Sequence, residues 1–209
     1  MKIIFATNNQ HKADEIRSVL PENFSIITLK EAGIDIDIPE PHNTLQDNAA
    51  EKARTIYHLS KTNCFSEDTG LEVYSINNEP GVHSARYASE HFDKFSMTSD
   101  KNIDKLLSKL KDVTNRKARF RTVVCLILDA KEFFFEGICE GEIIKKRKGN
   151  QGFGYDPVFI PTGSTKTFAE MNIEEKNQFS HRKKAMDKLV AFLNHFQEAN
   201  EQPLHINKT

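Results

Sequence analysis

An α/β fold is predicted, with a mixed central β-sheet flanked by helices and arranged as two lobes with a cleft between them. Three observations carry this. Apolar runs of strand length alternate with segments of helical periodicity through the first third of the chain. Two long β-branched and aromatic runs, at 120–128 and 133–144, follow one another almost at once, so they pair antiparallel and the sheet is mixed. The chain then ends in a helical stretch with one apolar face, while the hairpin supplies a second, smaller lobe.

Taken in order, a strand over 2–7 leads into a helix from about 11 to 20, whose Ala13, Ile16, Val19 and Leu20 fall at helical spacing. A strand at 24–29 and an acidic loop at 35–40 precede a helix from about 45 to 60. That helix begins at Thr44, with Asp47 as a capping-box variant and Ala49, Ala50, Ala53 and Ile56 as apolar positions. A strand at 63–68 ends in Glu67-Asp68-Thr69-Gly70, where the glycine permits a bend. Beyond a Pro80-Gly81 turn come a helix over about 99–110 and the hairpin, turned at Asp129-Ala130-Lys131. The last helix takes Ser180 as N-cap and sets Ala185, Met186, Leu189, Val190, Leu193 and Phe196 on one face. The result is one domain over 1–198 with a polar tail at 199–209.

With 209 residues the chain can bury a proper core, and its net charge of −1 offers no global field for a polyanion, so no nucleic-acid partner is expected. Lys145-Lys146-Arg147-Lys148 lacks a flanking aromatic platform and reads as a solvated turn. Cys64, Cys125 and Cys139 form no C-x-x-C pair and fit a reducing compartment as packing residues. No apolar stretch approaches the length of a membrane span and the first residues lack the plan of a signal peptide, so a cytoplasmic protein without a membrane partner is expected.

Four polar motifs suit the holding of a nucleoside triphosphate and a divalent metal. Thr7-Asn8-Asn9-Gln10-His11-Lys12 joins a strand to a helix start, a junction that aims backbone N–H groups and the positive helix end at an anion, with Lys12 adding a full charge. Glu67-Asp68 can hold Mg²⁺, or one acid can bind metal while the other accepts a proton from water, with Glu40 as a possible third acid. Strand alternation sends the two neighbours to opposite faces, so they need not share a role. In Gly152-Phe153-Gly154-Tyr155-Asp156-Pro157 two aromatics can stack on a base and an aspartate can accept hydrogen bonds; its plainer reading is a bulged strand. Lys176, His181 and Arg182 surround a helix N-terminus where cations are unfavourable, a misplacement that a bound anion would relieve.

These motifs in order, with Pro80-Gly81, Ser84-Ala85-Arg86-Tyr87 and Ala169-Glu170-Met171, resemble the inosine triphosphate pyrophosphatase family over roughly residues 2–195. The resemblance implies an elongated mixed sheet, a homodimer, Mg²⁺ dependence, and hydrolysis of ITP, dITP and XTP to the monophosphate and pyrophosphate. Carried over, Thr7, Asn8, Asn9, Gln10, His11 and Lys12 grip the triphosphate. Asp68 is the proton acceptor and a metal ligand, Glu40 the second ligand, and Thr69 touches substrate. Phe153, Gly154, Tyr155 and Asp156 line the base and sugar pocket, which Lys176, His181 and Arg182 complete. The chain departs from the family pattern at Glu40-Pro41-His42-Asn43, where bacterial relatives tend to have Glu-Thr-Gly, and at Thr69 and Ser89. Two other readings are a pyrophosphatase for modified pyrimidine nucleotides and a nucleotide- or RNA-binding regulator without catalysis.

Overall fold

The structure, a computed structural model, describes residues 2–89 and 99–201, with side chains through 198. One seven-stranded sheet runs through it in the order β2, β1, β3, β5, β6, β7, with β4 attached to β3. β1 (Lys2–Phe5) is followed by α1 (Gln10–Arg17) and β2 (Ser25–Thr28), and α2 (Leu45–Ser60) returns the chain to β3 (Cys64–Val73). β1 is parallel to both β2 and β3. The short β4 (Glu79–Gly81), then β5 (Lys117–Leu128), β6 (Lys131–Ile143) and β7 (Phe159–Pro161) pair antiparallel. α3 (Ser99–Lys109), α4 (Ile173–Asn177) and α5 (His181–Glu201) complete the order, so the mixed α/β sheet flanked by helices is as expected.

Strand alternation sorts two cores. Ile4, Cys64, Cys125 and Ile127 pack on one face against Ala49, Ala50, Ala53 and Ile56 of α2, whose small alanines let the helix lie close to the sheet. Ile3, Phe5, Phe65, Val124 and Leu126 pack on the other against α1 and α5, with Phe5 and Phe65 stacked at 4.6 Å. Each fully buried Ile or Phe there contributes about 1.5–3 kcal/mol. A third cluster, around Leu71, Phe120, Phe159 and Phe168, gathers α3 and the far end of the sheet.

Local chemistry sets the boundaries. Asn9 caps α1, its side chain accepting from Lys12 N at 3.2 Å, and Thr44 caps α2, accepting from Asp47 N at 3.0 Å. The Asp47 carboxylate accepts the Thr44 hydroxyl at 2.6 Å, so in this capping-box variant the acid returns to the cap's hydroxyl. Ser180 accepts from Lys183 N at 3.2 Å at the start of α5. The β5–β6 turn has Asp129 and Ala130 at positive φ, 50° and 64°, as a two-residue turn matched to strand twist requires.

Several expectations are corrected. β3 does not stop at 68 but runs to Val73, and Gly70 does not bend it. A Cβ there would lie 2.6 Å from the Gly81 carbonyl oxygen, so the glycine admits β4, and Pro80-Gly81 is strand rather than turn. Arg147 is not simply solvated: it reaches Asp104 at 2.8 Å and the Asp100 carbonyl at 2.9 Å on α3. Of the polar tail, 199–201 continue α5, and 202–209 lie outside the described residues. The three cysteines are free and buried, as expected.

Candidate active site

The site is a breach in the sheet. Along one edge of β3, β1 pairs with Cys64 and Phe65, and β4 pairs with Leu71 to Val73. Among the described residues no strand pairs with 66–70 on that edge, and the loop after β1, carrying Thr7 to Asn9, leads into α1, whose Lys12 reaches Glu67 at its mouth. Glu67 and Asp68 therefore sit in mid-strand beside an opening, and alternation sends them to opposite faces, each with its own set of charges.

On the α5 face Glu67 is buried and takes three donors. Lys12 Nζ lies 2.7 Å from Oε1, Arg182 Nε 2.9 Å from Oε2, and the Thr69 hydroxyl 3.1 Å from Oε2. Burial alone would raise its pKa, but Arg182 and Lys12 outweigh that and hold it far below the carboxylate range. Arg182 also pairs with Glu15, and Lys176 Nζ bridges Glu15 and Asp156 at 2.6 Å each. Glu15 is likewise pushed up by burial, yet Arg182 and Lys176 keep it at about 2. Asp156 accepts from Phe153 N at 2.9 Å, and a Cβ on Gly152 (φ 72°) would overlap its carboxylate. Burial outweighs Lys176 here and raises the Asp156 pKa. Phe153 faces both cations, Lys176 at 5.3 Å and Arg182 at 5.7 Å, and stacks with His11 at 5.4 Å and 17°.

His181 stacks on Phe120 at 4.8 Å, and its Nδ1 is buried with no hydrogen-bond partner. Burial first, then the charge of Arg182, pushes its pKa well below the usual histidine value, so the ring is neutral. The start of α5 lies against β6 at Gly137, where a Cβ would overlap the His181 carbonyl and sit 2.6 Å from Ala185 N.

On the α2 face Asp68 lies 3.3 Å from Lys52 Nζ through Oδ1 and accepts from Asn48 Nδ2 at 3.3 Å through Oδ2. Lys52 also lies 2.5 Å from Glu40, whose other oxygen takes Arg86 at 3.2 Å. Burial and the nearby Glu40 raise the Asp68 pKa against the pull of Lys52. Glu40 is less buried, and there Lys52 outweighs burial and lowers the pKa. Lys12 lowers both, so it acts across the breach on both faces. Asn48 further bonds the backbone of His42 in both directions, at 2.9 and 3.1 Å, tying the loop after Glu40 to α2.

Thr7, Asn9 and Lys12 are thus brought to the breach with Glu67, Asp68 and Thr69. By helix geometry the N–H groups of Gln10 and His11 have no intrahelical acceptor, and Asn8 Nδ2 donates to the Ile36 carbonyl at 3.0 Å. Phe153, Gly154, Asp156, Lys176, His181 and Arg182 gather on the α5 face. Tyr155 does not join them: its ring is packed in the core and its hydroxyl donates to the Ser84 carbonyl at 3.0 Å, so it cannot stack on a base as expected. The cations at the α5 start pair with carboxylates of the chain itself, Lys176 with Glu15 and Arg182 with Glu15 and Glu67. Sequence reasoning does not single out Glu15, Asn48 or Lys52. The one available signal is Asn48 and Lys52 at i, i+4 among the alanines of the sheet-facing side of α2.

The described residues contain no cluster of three or more metal-type side chains. A cation between Glu40 and Asp68 would take two hard oxygen donors and complete its shell from water and phosphate, the habit of Mg²⁺. Lys52 already places positive charge between them, so this donor set fits a cation.

A family model described as the Ham1 family matches residues 3–192. A dITP/XTP pyrophosphatase of Porphyromonas gingivalis is 51% identical over 193 residues, 92% of this chain and 97% of that protein. One of Flavobacterium psychrophilum is 47% identical over 192 residues, 92% of this chain and 98% of its own length. The structure of the Staphylococcus aureus Ham1 protein superposes with a TM-score of 0.82 at 36% identity, covering 94% of this chain and 100% of that one. A HAM1 protein from Coxiella burnetii gives 0.83 at 32% identity, over 93% and 99%.

Proposed function

The chain belongs to the Ham1 family, and from that premise we propose that it is a nucleoside triphosphate pyrophosphatase acting on non-standard purine nucleotides. It hydrolyses ITP, dITP and XTP to the monophosphate and pyrophosphate, cleansing the nucleotide pool, as its relatives named dITP/XTP pyrophosphatase support. The observation that carries the reading is the breach along β3, where Glu67 and Asp68 open onto opposite faces, one lined by an aromatic and buried cations, the other by a carboxylate pair.

In this reading the triphosphate lies across the breach, held by Thr7 to Lys12, while the base enters the α5 face against Phe153. Asp68 accepts the proton of a water that attacks the α-phosphorus in line. Asn48 fixes the carboxylate for that task. Glu40 and Asp68 would hold a divalent metal, taken as Mg²⁺, which would supply charge neutralisation at the phosphate oxygens. Lys176 and Arg182 are locked by Glu15, Glu67 and Asp156, and in this reading such fixed cations, beside His181, supply the donors that a 6-oxo group accepts. A 6-amino group would meet donor against donor, a mispairing that separates substrates by orders of magnitude. A homodimer and a cytoplasmic setting are part of the proposal; no described helix is long and apolar enough to cross a membrane.

The test is release of pyrophosphate against orthophosphate from ITP, XTP, GTP, ATP, UTP and CTP, with and without Mg²⁺. Metal-dependent pyrophosphate from ITP and XTP is the expected result. Orthophosphate would place the attack at the terminal phosphorus, and turnover restricted to pyrimidine nucleotides would overturn the substrate class.

A further inference from the structure

The Glu40–Asp68 pair already holds a cation of the protein's own. Lys52 is 7% exposed, and its ammonium lies 2.5 Å from Glu40 Oε1 and 3.3 Å from Asp68 Oδ1. The remaining oxygens are also taken, Glu40 Oε2 by Arg86 at 3.2 Å and Asp68 Oδ2 by Asn48 at 3.3 Å. Arg86 is anchored a second time, through the Glu40 carbonyl at 3.1 Å.

Two carboxylates and two cations sum to zero, so a divalent ion entering alone must displace Lys52 and leave a buried cluster at +1 with the displaced ammonium unpaired, which low-dielectric surroundings penalise heavily. A triphosphate arriving with the ion removes that excess and offers the displaced ammonium new anionic oxygens. We propose that Lys52 is a placeholder cation: it keeps the metal pair assembled while disfavouring free metal, and it transfers to a polyphosphate when metal and nucleotide enter together. Metal and triphosphate therefore bind with positive coupling, which linkage makes reciprocal. The inference rests on Glu40 and Asp68 being the metal pair of the function proposed above.

The test is calorimetric and needs no turnover. Mn²⁺ alone is titrated into the full chain, then Mn²⁺ in the presence of α,β-methylene-ITP, for wild type, Lys52→Met, Lys52→Arg and Arg86→Met. The expected result is weak Mn²⁺ binding by wild type, strengthened about tenfold in Lys52→Met, with the coupling to the analogue reduced by a similar factor. Lys52→Arg keeps the charge and the weak binding. Arg86→Met, at the rim, shows a smaller gain and carries the test if Lys52→Met does not fold. Unchanged or weaker Mn²⁺ binding in the charge-removing variants would overturn the proposal. Glu40→Gln and Asp68→Asn separate the two levels: if they leave Mn²⁺ binding intact the metal pair itself is wrong, and if they abolish it while Lys52→Met gains nothing, only the placeholder is wrong.

Discussion

Arg182 and Glu67, 115 residues apart in the chain, meet as a two-point ion pair, Nε to Oε2 at 2.9 Å and Nη2 to Oε1 at 3.3 Å, with both side chains all but closed to solvent. The pair joins the start of α5 to the middle of β3, and Lys12 and Glu15 extend it to α1. Removing one partner strands charge in the interior, which costs about 3–5 kcal/mol for a buried pair. Glu67→Gln is therefore expected to lower the unfolding free energy by about that amount in urea titration. A loss under about 1 kcal/mol would mean that desolvation of the three charges cancels their attraction.

His181 gives the protein a pH dependence of defined sign. Its folded pKa lies below the ordinary 6.5 because burial and Arg182 disfavour the imidazolium, with Lys176 adding to them and Glu15 and Glu67 opposing. Below pH 6.5 the unfolded chain takes up a proton that the folded chain refuses, so stability falls as pH falls, by about 1.4 kcal/mol per pH unit for one proton. Glu15 acts in a lower window: its depressed pKa adds stability that is full above 4.5 and is lost as pH drops toward about 2. Unfolding free energies for wild type and His181→Gln between pH 7 and 5 isolate the first effect. Parallel curves would exclude His181 as its source.

Asp68→Asn separates chemistry from folding. Ionisation of Asp68 is disfavoured in the fold, so the neutral amide is expected to leave thermal stability near that of wild type, while loss of the base lowers kcat by about 10³-fold. Near-normal turnover in the variant would remove Asp68 from the role of proton acceptor.

Legibility in the sequence follows the range of the interaction. α1, α2 and α5 are written in local periodicity, and their caps at Asn9, Thr44 and Ser180 in residues next to the helix start. The extent of β3 is not local. Glu67 to Gly70 reads as a polar strand end, yet Lys12, Lys52 and Arg182 come from three distant segments to neutralise its acids. For the same reason Glu15 and Lys52 look like ordinary helix-surface charges until their partners are in place. Tyr155 errs the other way, since a tyrosine beside two glycines suggests an open pocket wall, but its ring is buried in the core and its hydroxyl finds a partner in the Ser84 carbonyl.

Gly137 offers a test of how the sheet sets the site. It pairs with Thr122 on β5, and above it the first turn of α5 comes so close that a Cβ would overlap the His181 carbonyl and approach Ala185 N to 2.6 Å. Both neighbours are backbone, so neither can swing aside as a flexible side chain would. In Gly137→Ala the helix start must lift, which overpacking of this kind makes worth about 3 kcal/mol of stability. The lift also carries His181 and Arg182 away from Phe120 and Glu67, so KM for ITP is expected to rise more than kcat falls. A companion Gly154→Ala change separates strain from contact: that glycine has φ 62° but nothing within 4 Å of a Cβ, so its cost is backbone strain of about 1 kcal/mol without displacement of α5. Equal effects of the two substitutions on KM would show that the position of α5 over β6 does not govern nucleotide binding.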